Sequence, residues 1–218
     1  MSKNGVLTVM TYQKVATFLR APAWMKYIKL NTLWSKLVTE AYYRKIFKRL
    51  GAGSLIRSPL LITNPEYIRI GDHVQVREGL RMEAQTGWFG QEFTPDLVIG
   101  DNVSIEQRGT ISCANKVVIG RNTVISYDVT ITDNDHTYEK IGVSVMLQPL
   151  SVKKVIIGEN CFIGTGAKIL AGTVLGKQCI VGSNSVVRGE FPDYSVIVGS
   201  PARVIKRYNT QSKCWERV

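Results

Sequence analysis

A large aliphatic side chain recurs every six residues along most of this 218-residue chain. The positions form six triplets: Leu50, Ile56 and Ile62; Ile70, Val76 and Met82; Ile99, Ile105 and Ile111; Ile119, Ile125 and Ile131; Ile157, Ile163 and Ile169; and Leu175, Val181 and Val187. Short β-prone segments at this spacing predict a triangular prism of parallel strands, in which each aliphatic stacks about 4.8 Å from its counterpart one coil away. Strands of a β-sandwich alternate with a period of two, so the pattern excludes that fold.

A glycine follows the first aliphatic of every triplet, at Gly51, Gly71, Gly100, Gly120, Gly158 and Gly176. This second regularity supports the same register. We therefore predict a mainly β protein, a parallel β-helix of about six coils.

The spacing exceeds six residues only between the last aliphatic of one triplet and the first of the next. The two longest insertions cover residues 83–98 and 132–156. Because every insertion falls at the same corner of the prism, we expect both loops to project from one edge, two coils apart. Long loops on a rigid scaffold are frequent sites of function.

Most of the net charge of +11 comes from the first fifty residues, which hold ten basic residues and one acidic residue. The remainder is nearly balanced, which argues against a nucleic-acid-binding body. No apolar run approaches the roughly 18 residues that span a bilayer, and neither a secretory signal nor a disulfide framework is apparent. We expect an intracellular protein with a basic, aromatic helical segment (1–49), a β-helix domain (50–206) and a C-terminal tail (207–218).

The end of the first segment predicts an amphipathic basic helix. Its apolar residues near helical spacing are Leu33, Trp34, Leu37, Val38, Ala41, Ile46 and Leu50. An apolar face of this kind either caps the open end of a solenoid or contacts an anionic membrane. We expect the helix before Leu50 to cap the prism and residues from about 8 to 30 to contact a membrane.

The C-terminal stretch IGENCFIGTGAKILAGTVLGKQCIVGSNSVVRGEFPDYSVIVGSPARVIKR resembles the hexapeptide-repeat acyltransferases. It is similar to the acetyl-CoA-binding end of galactoside and maltose O-acetyltransferases and of enzymes that acetylate surface polysaccharides. The closing GSPARVI is especially characteristic, and the resemblance covers about residues 70–207. It implies a left-handed parallel β-helix, a homotrimer with active sites shared between subunits, acetyl-CoA as co-substrate, and no metal.

The resemblance implies that His136, in the loop sequence TDNDHTYEK, is the catalytic base. Acyl transfer to a hydroxyl needs a base with a near-neutral pKa, for which histidine is the usual residue. The other histidine, His73, is expected in a surface turn. Thr165 or its backbone N–H is expected to stabilise the oxyanion. Asp133 and Asp135 flank the histidine, so one of them either orients the imidazole or holds it protonated, or both are ordinary turn residues.

The resemblance also assigns residues to the two substrates. Those expected to bind acetyl-CoA are Phe162, Gly164, Thr165, Ser183, Arg188, Gly189, Arg203 and Lys206. The cations among them suit its phosphates. Those expected to bind the acceptor are Glu106, Gln107, Arg108, Asn134 and Trp88. Three of these, Glu106–Arg108, stand where the family has an acceptor-binding asparagine. This departure argues against a galactoside- or maltose-type acceptor, and a substituted hexose in a longer glycan fits as well. Trp88 either stacks on a sugar or anchors its loop.

We therefore predict transfer of an acetyl group from acetyl-CoA to a sugar hydroxyl of a cell-surface polysaccharide or its lipid-linked precursor. The expected location is the cytoplasm or the inner face of the cytoplasmic membrane. Two alternatives stay open: an acetyltransferase for a small free sugar or amino sugar, and a non-enzymatic scaffold that binds membrane or nucleic acid. A γ-type carbonic anhydrase needs three zinc-binding histidines, and this chain has two.

Overall fold

The aliphatic triplets form the interior of a three-sided prism whose faces are parallel β-sheets. The computed structural model describes residues 17–218. Equivalent positions of successive coils are paired, as Ile99 with Ile119 and Ile119 with Ile157 on the first face. The other two faces have the same register. The predicted parallel β-helix and its six-coil register are confirmed.

Each of the six coils contributes one short strand to each face, and the first two faces continue with further strands at the C-terminal end. The strands of the first face are Arg49–Leu50, Ile68–Ile70, Asp96–Ile99, Lys116–Ile119, Val155–Ile157, Val174–Leu175 and Glu190–Phe191. Those of the second face are Leu55–Ile56, Gln75–Val76, Ser104–Ile105, Val124–Ile125, Phe162–Ile163, Ile180–Val181, Ser195–Gly199, Ala202–Asn209 and Cys214–Arg217. Those of the third face are Leu61–Thr63, Arg81–Ala84, Thr110–Cys113, Thr130–Thr132, Lys168–Ile169 and Val186–Val187. Outside the faces lie the hairpins Gly87–Trp88 with Gln91–Glu92 and Asn134–His136 with Leu150–Val152, and the 3-10 turns Pro65–Tyr67 and Val145–Leu147.

A partial seventh coil follows the six predicted ones. Phe191 pairs with Leu175 on the first face, and Ile197 pairs with Val181 on the second. Phe191 comes four positions after Val187, whereas the step of the repeat is six positions. The shortened step removes this coil from the sequence periodicity, although its side chains continue the core.

The expected C-terminal tail is part of the second face. The strand Ala202–Asn209 turns back antiparallel to Ser195–Gly199, and Cys214–Arg217 adds a further antiparallel strand. The expected boundary after residue 206 therefore falls inside a strand. Ala202 is buried and Val204 packs against the core, so this hairpin covers the C-terminal end of the prism.

Helical residues cover the opposite end. The elements are helix α1 at Ala23–Val38, a π-helical turn at Thr39–Tyr43 and the short helix α2 at Arg44–Ile46, preceded by a helical stretch at 17–20. Phe47, directly after α2, is buried in the core. The Thr39 Oγ1 atom accepts the N–H of Ile56 over 3.1 Å, and its proton points toward the Ser35 O at 2.7 Å and the Ile56 O at 3.3 Å. Thr39 thereby supplies a hydrogen-bond partner to the backbone at the open edge of the first coil, where no neighbouring strand is present among the described residues.

The side of α1 that contacts the prism is small and polar, with Ser35 and Thr39 buried. The prediction that Leu33, Trp34 and Leu37 form the capping face is wrong, because each is at least 55% exposed. The physical reason is that the strand edge presents an unpaired backbone N–H, which the Thr39 hydroxyl can satisfy and leucine cannot, while Ser35 is small enough to let the helix approach. Residues 8–16 of the expected membrane segment lie outside the described residues. Within 17–218, no helix has the length and apolar character that crossing a membrane requires.

The glycine after the first aliphatic of a triplet lies where the next coil approaches closely. A Cβ atom on Gly120 would be 2.5 Å from both the Glu159 N and the Gly158 C atoms. A Cβ atom on Gly158 would be 2.4 Å from the Gly176 O atom. Close stacking at this corner therefore requires a residue without a side chain.

Replacing Gly120 with alanine is expected to force two coils apart. We expect Gly120→Ala to lower the free energy of unfolding by roughly 1–3 kcal/mol, measured by chemical denaturation. Gly87→Ala is the control, because a Cβ atom there meets nothing closer than 3.3 Å. Equal stability of the two variants would contradict the stacking explanation.

Candidate active site

Two insertions leave the prism at the corner between the third and first faces, which we call the loop corner. The short loop is residues 85–95, and the long loop is residues 133–154. Each contains one of the two hairpins outside the faces. The predicted common corner is confirmed for both loops.

The short loop braces the long loop. The Gln91 side-chain amide bonds the backbone of Leu150 twice, with Oε1 2.6 Å from the Leu150 N and Nε2 3.2 Å from the Leu150 O. The Trp88 Nε1 donates to the Gln148 O over 2.9 Å. The buried Gln148 side chain in turn bonds both the N–H and the C=O of Lys140. These bonds join the two hairpins although they are about sixty residues apart in sequence.

His136 lies in the long-loop hairpin, opposite Leu150, with its side chain exposed. The Trp88 indole packs edge-on against the imidazole, with ring centroids 4.9 Å apart and an interplanar angle of 71°. Within residues 17–218, no side chain or backbone group hydrogen-bonds the imidazole nitrogens. His73 lies in an exposed turn with φ 56°, as expected for a surface residue. Of the two histidines, His136 is therefore the one that lies where two loops pack together.

Asp133 is fully buried, and its carboxylate binds backbone N–H groups of the turn at residues 114–116, at a corner of the prism. Oδ1 accepts the N–H of Ala114, and Oδ2 accepts the N–H groups of Asn115 and Lys116, each over 2.7 Å. The Asn134 side-chain amide donates to the same carboxylate over 3.1 Å. We therefore assign Asp133 to the corner and not to the orientation of His136, which corrects that expectation.

Asp135 pairs with Arg188 across the loop corner, with Oδ2 2.7 Å from Nη2. Arg188 and the adjacent Gly189 follow the third-face strand of the sixth coil, below the long loop. The Asn134 amide, expected to contact the acceptor, also donates to the Ser112 Oγ over 3.1 Å. The loop corner thus brings together Trp88, Asp135, His136 and Arg188.

Thr165 lies at a different corner, between the second and third faces, which we call the Thr165 corner. Its Oγ1 is 2.9 Å from the Ser126 Oγ one coil earlier. Within the described chain, no acceptor is found for the Thr165 N–H. A Cβ atom on Gly164 would be 2.7 Å from the Ser183 N, so coil stacking alone requires this glycine. The third face separates Thr165 from the loop corner within one chain.

The segment Glu106–Arg108 lies at the Thr165 corner, two coils before Thr165. Arg108 forms a two-point ion pair with Asp128, at 2.9 and 2.7 Å, and this hydrogen bonding lowers the pKa of Asp128. Glu106 lies 3.7 Å from the Arg77 Nε, a buried atom with no hydrogen-bond partner. Sequence reasoning did not identify Asp128 or Arg77.

The remaining residues expected to bind acetyl-CoA lie on or near the second face. Phe162 projects outward from its strand with 43% of its side chain exposed, and Ser183 is exposed at the Thr165 corner. Arg203 and Lys206 are exposed on the antiparallel strand that extends this face. The expected site residues therefore form two groups, on either side of the third face. Within residues 17–218, no cluster of His, Cys, Asp or Glu is arranged to hold a metal ion.

Comparison with known proteins identifies the family. The model of the bacterial transferase hexapeptide (six repeats) matches residues 154–189. A protein of Escherichia coli K12, provisionally named lipopolysaccharide biosynthesis O-acetyl transferase WbbJ, is 34% identical over 188 residues, which cover 83% of this chain and 89% of that protein. The chain belongs to the hexapeptide-repeat acetyltransferase family.

Two further relatives extend this family assignment. The galactoside O-acetyltransferase of Escherichia coli K12 is 30% identical over 135 residues, 53% of this chain and 66% of that protein. The crystal structure of AntD, an N-acyltransferase from Bacillus cereus, in complex with dTDP and 3-hydroxybutyryl-CoA, has a TM-score of 0.64 at 20% identity. It covers 80% of this chain and 90% of AntD, and it shows that the fold is shared. The left-handed β-helix and the acyltransferase class are thus confirmed.

The assignment of Asp133 can be tested by stability. Asp133→Asn would turn an amide N–H₂ toward backbone N–H groups, so we expect the free energy of unfolding to fall by roughly 2–3 kcal/mol. Asp135→Asn removes only a partly exposed ion pair and is expected to cost less than about 1 kcal/mol. Denaturant unfolding of both variants checks this, and a stable Asp133→Asn protein would return Asp133 to the candidates for orienting His136.

The contact between the loops can be tested without a substrate. With two histidines in the chain, ¹³C-histidine labelling gives one imidazole signal set for His136 and one for His73. We expect Trp88→Ala to shift the His136 signals, because the indole ring current is lost, and to leave the His73 signals unchanged. Phe89→Ala, in the same hairpin turn but without a ring contact to His136, is the matched control. An unchanged His136 signal in Trp88→Ala would mean that the Trp88 indole does not pack against the imidazole in solution.

Proposed function

We propose that this acetyltransferase moves an acetyl group from acetyl-CoA to a sugar hydroxyl of a cell-surface polysaccharide or its lipid-linked precursor. The observation that carries the proposal is the exposed imidazole of His136, held against Trp88 where the two loops meet. The name of the relative WbbJ, which refers to lipopolysaccharide biosynthesis, supports this class of acceptor. Because the donor is made inside cells, the proposed reaction takes place on the cytoplasmic side.

A cleft beside Trp88 supports the proposed acceptor. It has a volume of about 360 Å³ and is lined by Thr63, Asn64, Arg81 and Glu83 as well as by Trp88. Such polar side chains suit the hydroxyl groups of a sugar, and an indole offers a face on which a sugar ring can stack. Trp88 contacts both this cleft and the imidazole, so an acceptor bound here would have a hydroxyl near His136.

His136 acts as the base and then as the acid in the proposed mechanism. A neutral ring nitrogen accepts the proton of the sugar hydroxyl as its oxygen bonds to the thioester carbonyl carbon. The carbon–sulfur bond then breaks, and the imidazolium donates the same proton to the departing sulfur. The exposed imidazole, without a hydrogen-bond partner among residues 17–218, is free to make both transfers.

The oxyanion donor in this proposal is the Thr165 N–H, which lacks an acceptor within the described chain. An N–H group that is already oriented can stabilise negative charge on the carbonyl oxygen. Since the third face separates Thr165 from His136 in one chain, a complete site would need the loop corner of one protomer against the Thr165 corner of another. This requirement supports the proposed homotrimer.

The second face is the proposed binding surface for acetyl-CoA, which supplies the acyl group as a thioester. Phe162 and Val124 offer exposed apolar surface next to the Thr165 corner, which suits the pantetheine arm. Arg203 and Lys206, further along the same sheet, have exposed cationic groups that suit phosphates. Arg188 is a weaker candidate, because it pairs with Asp135 at the loop corner.

The proposed base is tested by His136→Ala, for which we expect kcat to fall by about 10²- to 10⁴-fold. The assay measures thiol release from acetyl-CoA with deacetylated surface polysaccharide, with free hexoses and with amino sugars as separate acceptors. His73→Asn is the matched control, because the equivalent corner position of the next coil is Asn102 in the same left-handed conformation. Full activity of His136→Ala would refute the base, and activity only with a free hexose or an amino sugar would refute the acceptor.

A further inference from the structure

Helix α1 presents an apolar surface directed away from the prism. On a helix of 3.6 residues per turn, Leu30, Leu33 and Leu37 project from the side opposite the buried Ser35. Trp34 and Tyr27 lie beside them, and all five side chains are at least 55% exposed. Five large apolar residues on one side of a 16-residue helix form a continuous exposed patch, which is a mark of an interaction surface. We call it the α1 patch.

Positive charge borders the α1 patch. Lys29 and Lys36 are exposed on its flank, and α1 contains no acidic residue. The first acidic residue after it, Glu40, is already paired with Arg44 through two hydrogen bonds of 2.6 and 2.7 Å. The surface around the patch is therefore basic without a compensating acid.

The charges decide which partner fits. A second copy of the α1 patch would bring lysines against lysines, with no carboxylate in either helix to offset their repulsion. The capping function is already filled by Ser35 and Thr39, on the other side of the helix. An anionic lipid surface suits both the apolar patch and the basic residues beside it. The leucine side chains would enter the acyl boundary, and the lysines would meet lipid phosphates. Trp34 and Tyr27 are residue types that favour the interface between these layers.

We propose that the α1 patch docks on an anionic lipid bilayer, with the axis of α1 parallel to the surface. The helix would then lie on the membrane without crossing it, while its Ser35 side remains on the first coil. This inference does not depend on the proposed acceptor, since it rests on a surface separate from the loop corner. Docking would place the enzyme where lipid-linked glycans are found.

The test is flotation of the full chain with vesicles of phosphatidylcholine alone and with vesicles containing 30% phosphatidylglycerol. We expect binding to the anionic vesicles that weakens as salt is raised. Leu33→Gln/Leu37→Gln is expected to weaken the partition on the order of 100-fold. Lys29→Gln/Lys36→Gln is expected to weaken it by about fivefold for each lysine. Circular dichroism melts establish that each variant is folded.

Two controls match these changes. Ile141→Gln/Met146→Gln removes apolar residues of the long loop that are at least as exposed as Leu33 and Leu37, and Lys140→Gln/Lys213→Gln removes two exposed lysines elsewhere. Both are expected to bind vesicles like the unaltered protein. The proposal would be overturned if the protein bound neutral and anionic vesicles equally well, or if the control variants lost as much vesicle binding as the α1 variants. A change of oligomeric state in Leu33→Gln/Leu37→Gln by light scattering, with vesicle binding unchanged, would also overturn it and assign the patch to a protein interface. Acetyl transfer to a water-soluble acceptor, measured on the same samples, reports separately on the proposed reaction.

Discussion

Stacking of each aliphatic side chain on its equivalent one coil away is the interaction on which the rest of this structure depends. No single coil encloses a core, so Ile119 is buried only because Ile99 and Ile157 lie on either side of it. The same requirement explains the glycine column, because a side chain at Gly120 would separate the coils. It also explains why both ends of the prism carry additional elements, since the outermost coils lack a neighbour on one side.

Closure of each coil restricts where the chain can vary. A strand that gained residues would lose register with its neighbours, whereas residues added at a corner leave the stack intact. Both long insertions occur at the loop corner, so segments about sixty residues apart in sequence meet outside the prism. The side-chain amide of Gln91 joins the two segments, because it hydrogen-bonds both the N–H and the C=O of Leu150, as the backbone of a neighbouring strand would. The result is a histidine on a loop that hydrogen bonds fix to the neighbouring hairpin.

The parts of the molecule that follow from a local period were predictable, and those that depend on contacts between distant segments were not. The aliphatic register and the common corner came directly from six-residue spacing, whereas the seventh coil escaped because its step is two residues short. The amphipathic pattern of α1 identified an apolar side but not the direction it faces, which Ser35 and Thr39 decide. Asp133 was ambiguous because its partners lie seventeen to nineteen residues earlier in the chain. The choice of His136 relied on a family motif, and the contact with Trp88 had no sequence signal.

The two ends of the prism also determine that the stack is finite. An uncovered coil exposes a row of backbone donors and acceptors, and the last coil of one molecule could then continue on the first coil of another. Thr39 occupies part of that row at one end, and the antiparallel turn into Ala202–Asn209 interrupts the parallel order at the other. Because its coils are repeated and nearly identical, such a fold could in principle add coils without limit, and the elements at its two ends, residues 23–46 and 202–217, keep it a discrete protein instead of a polymer.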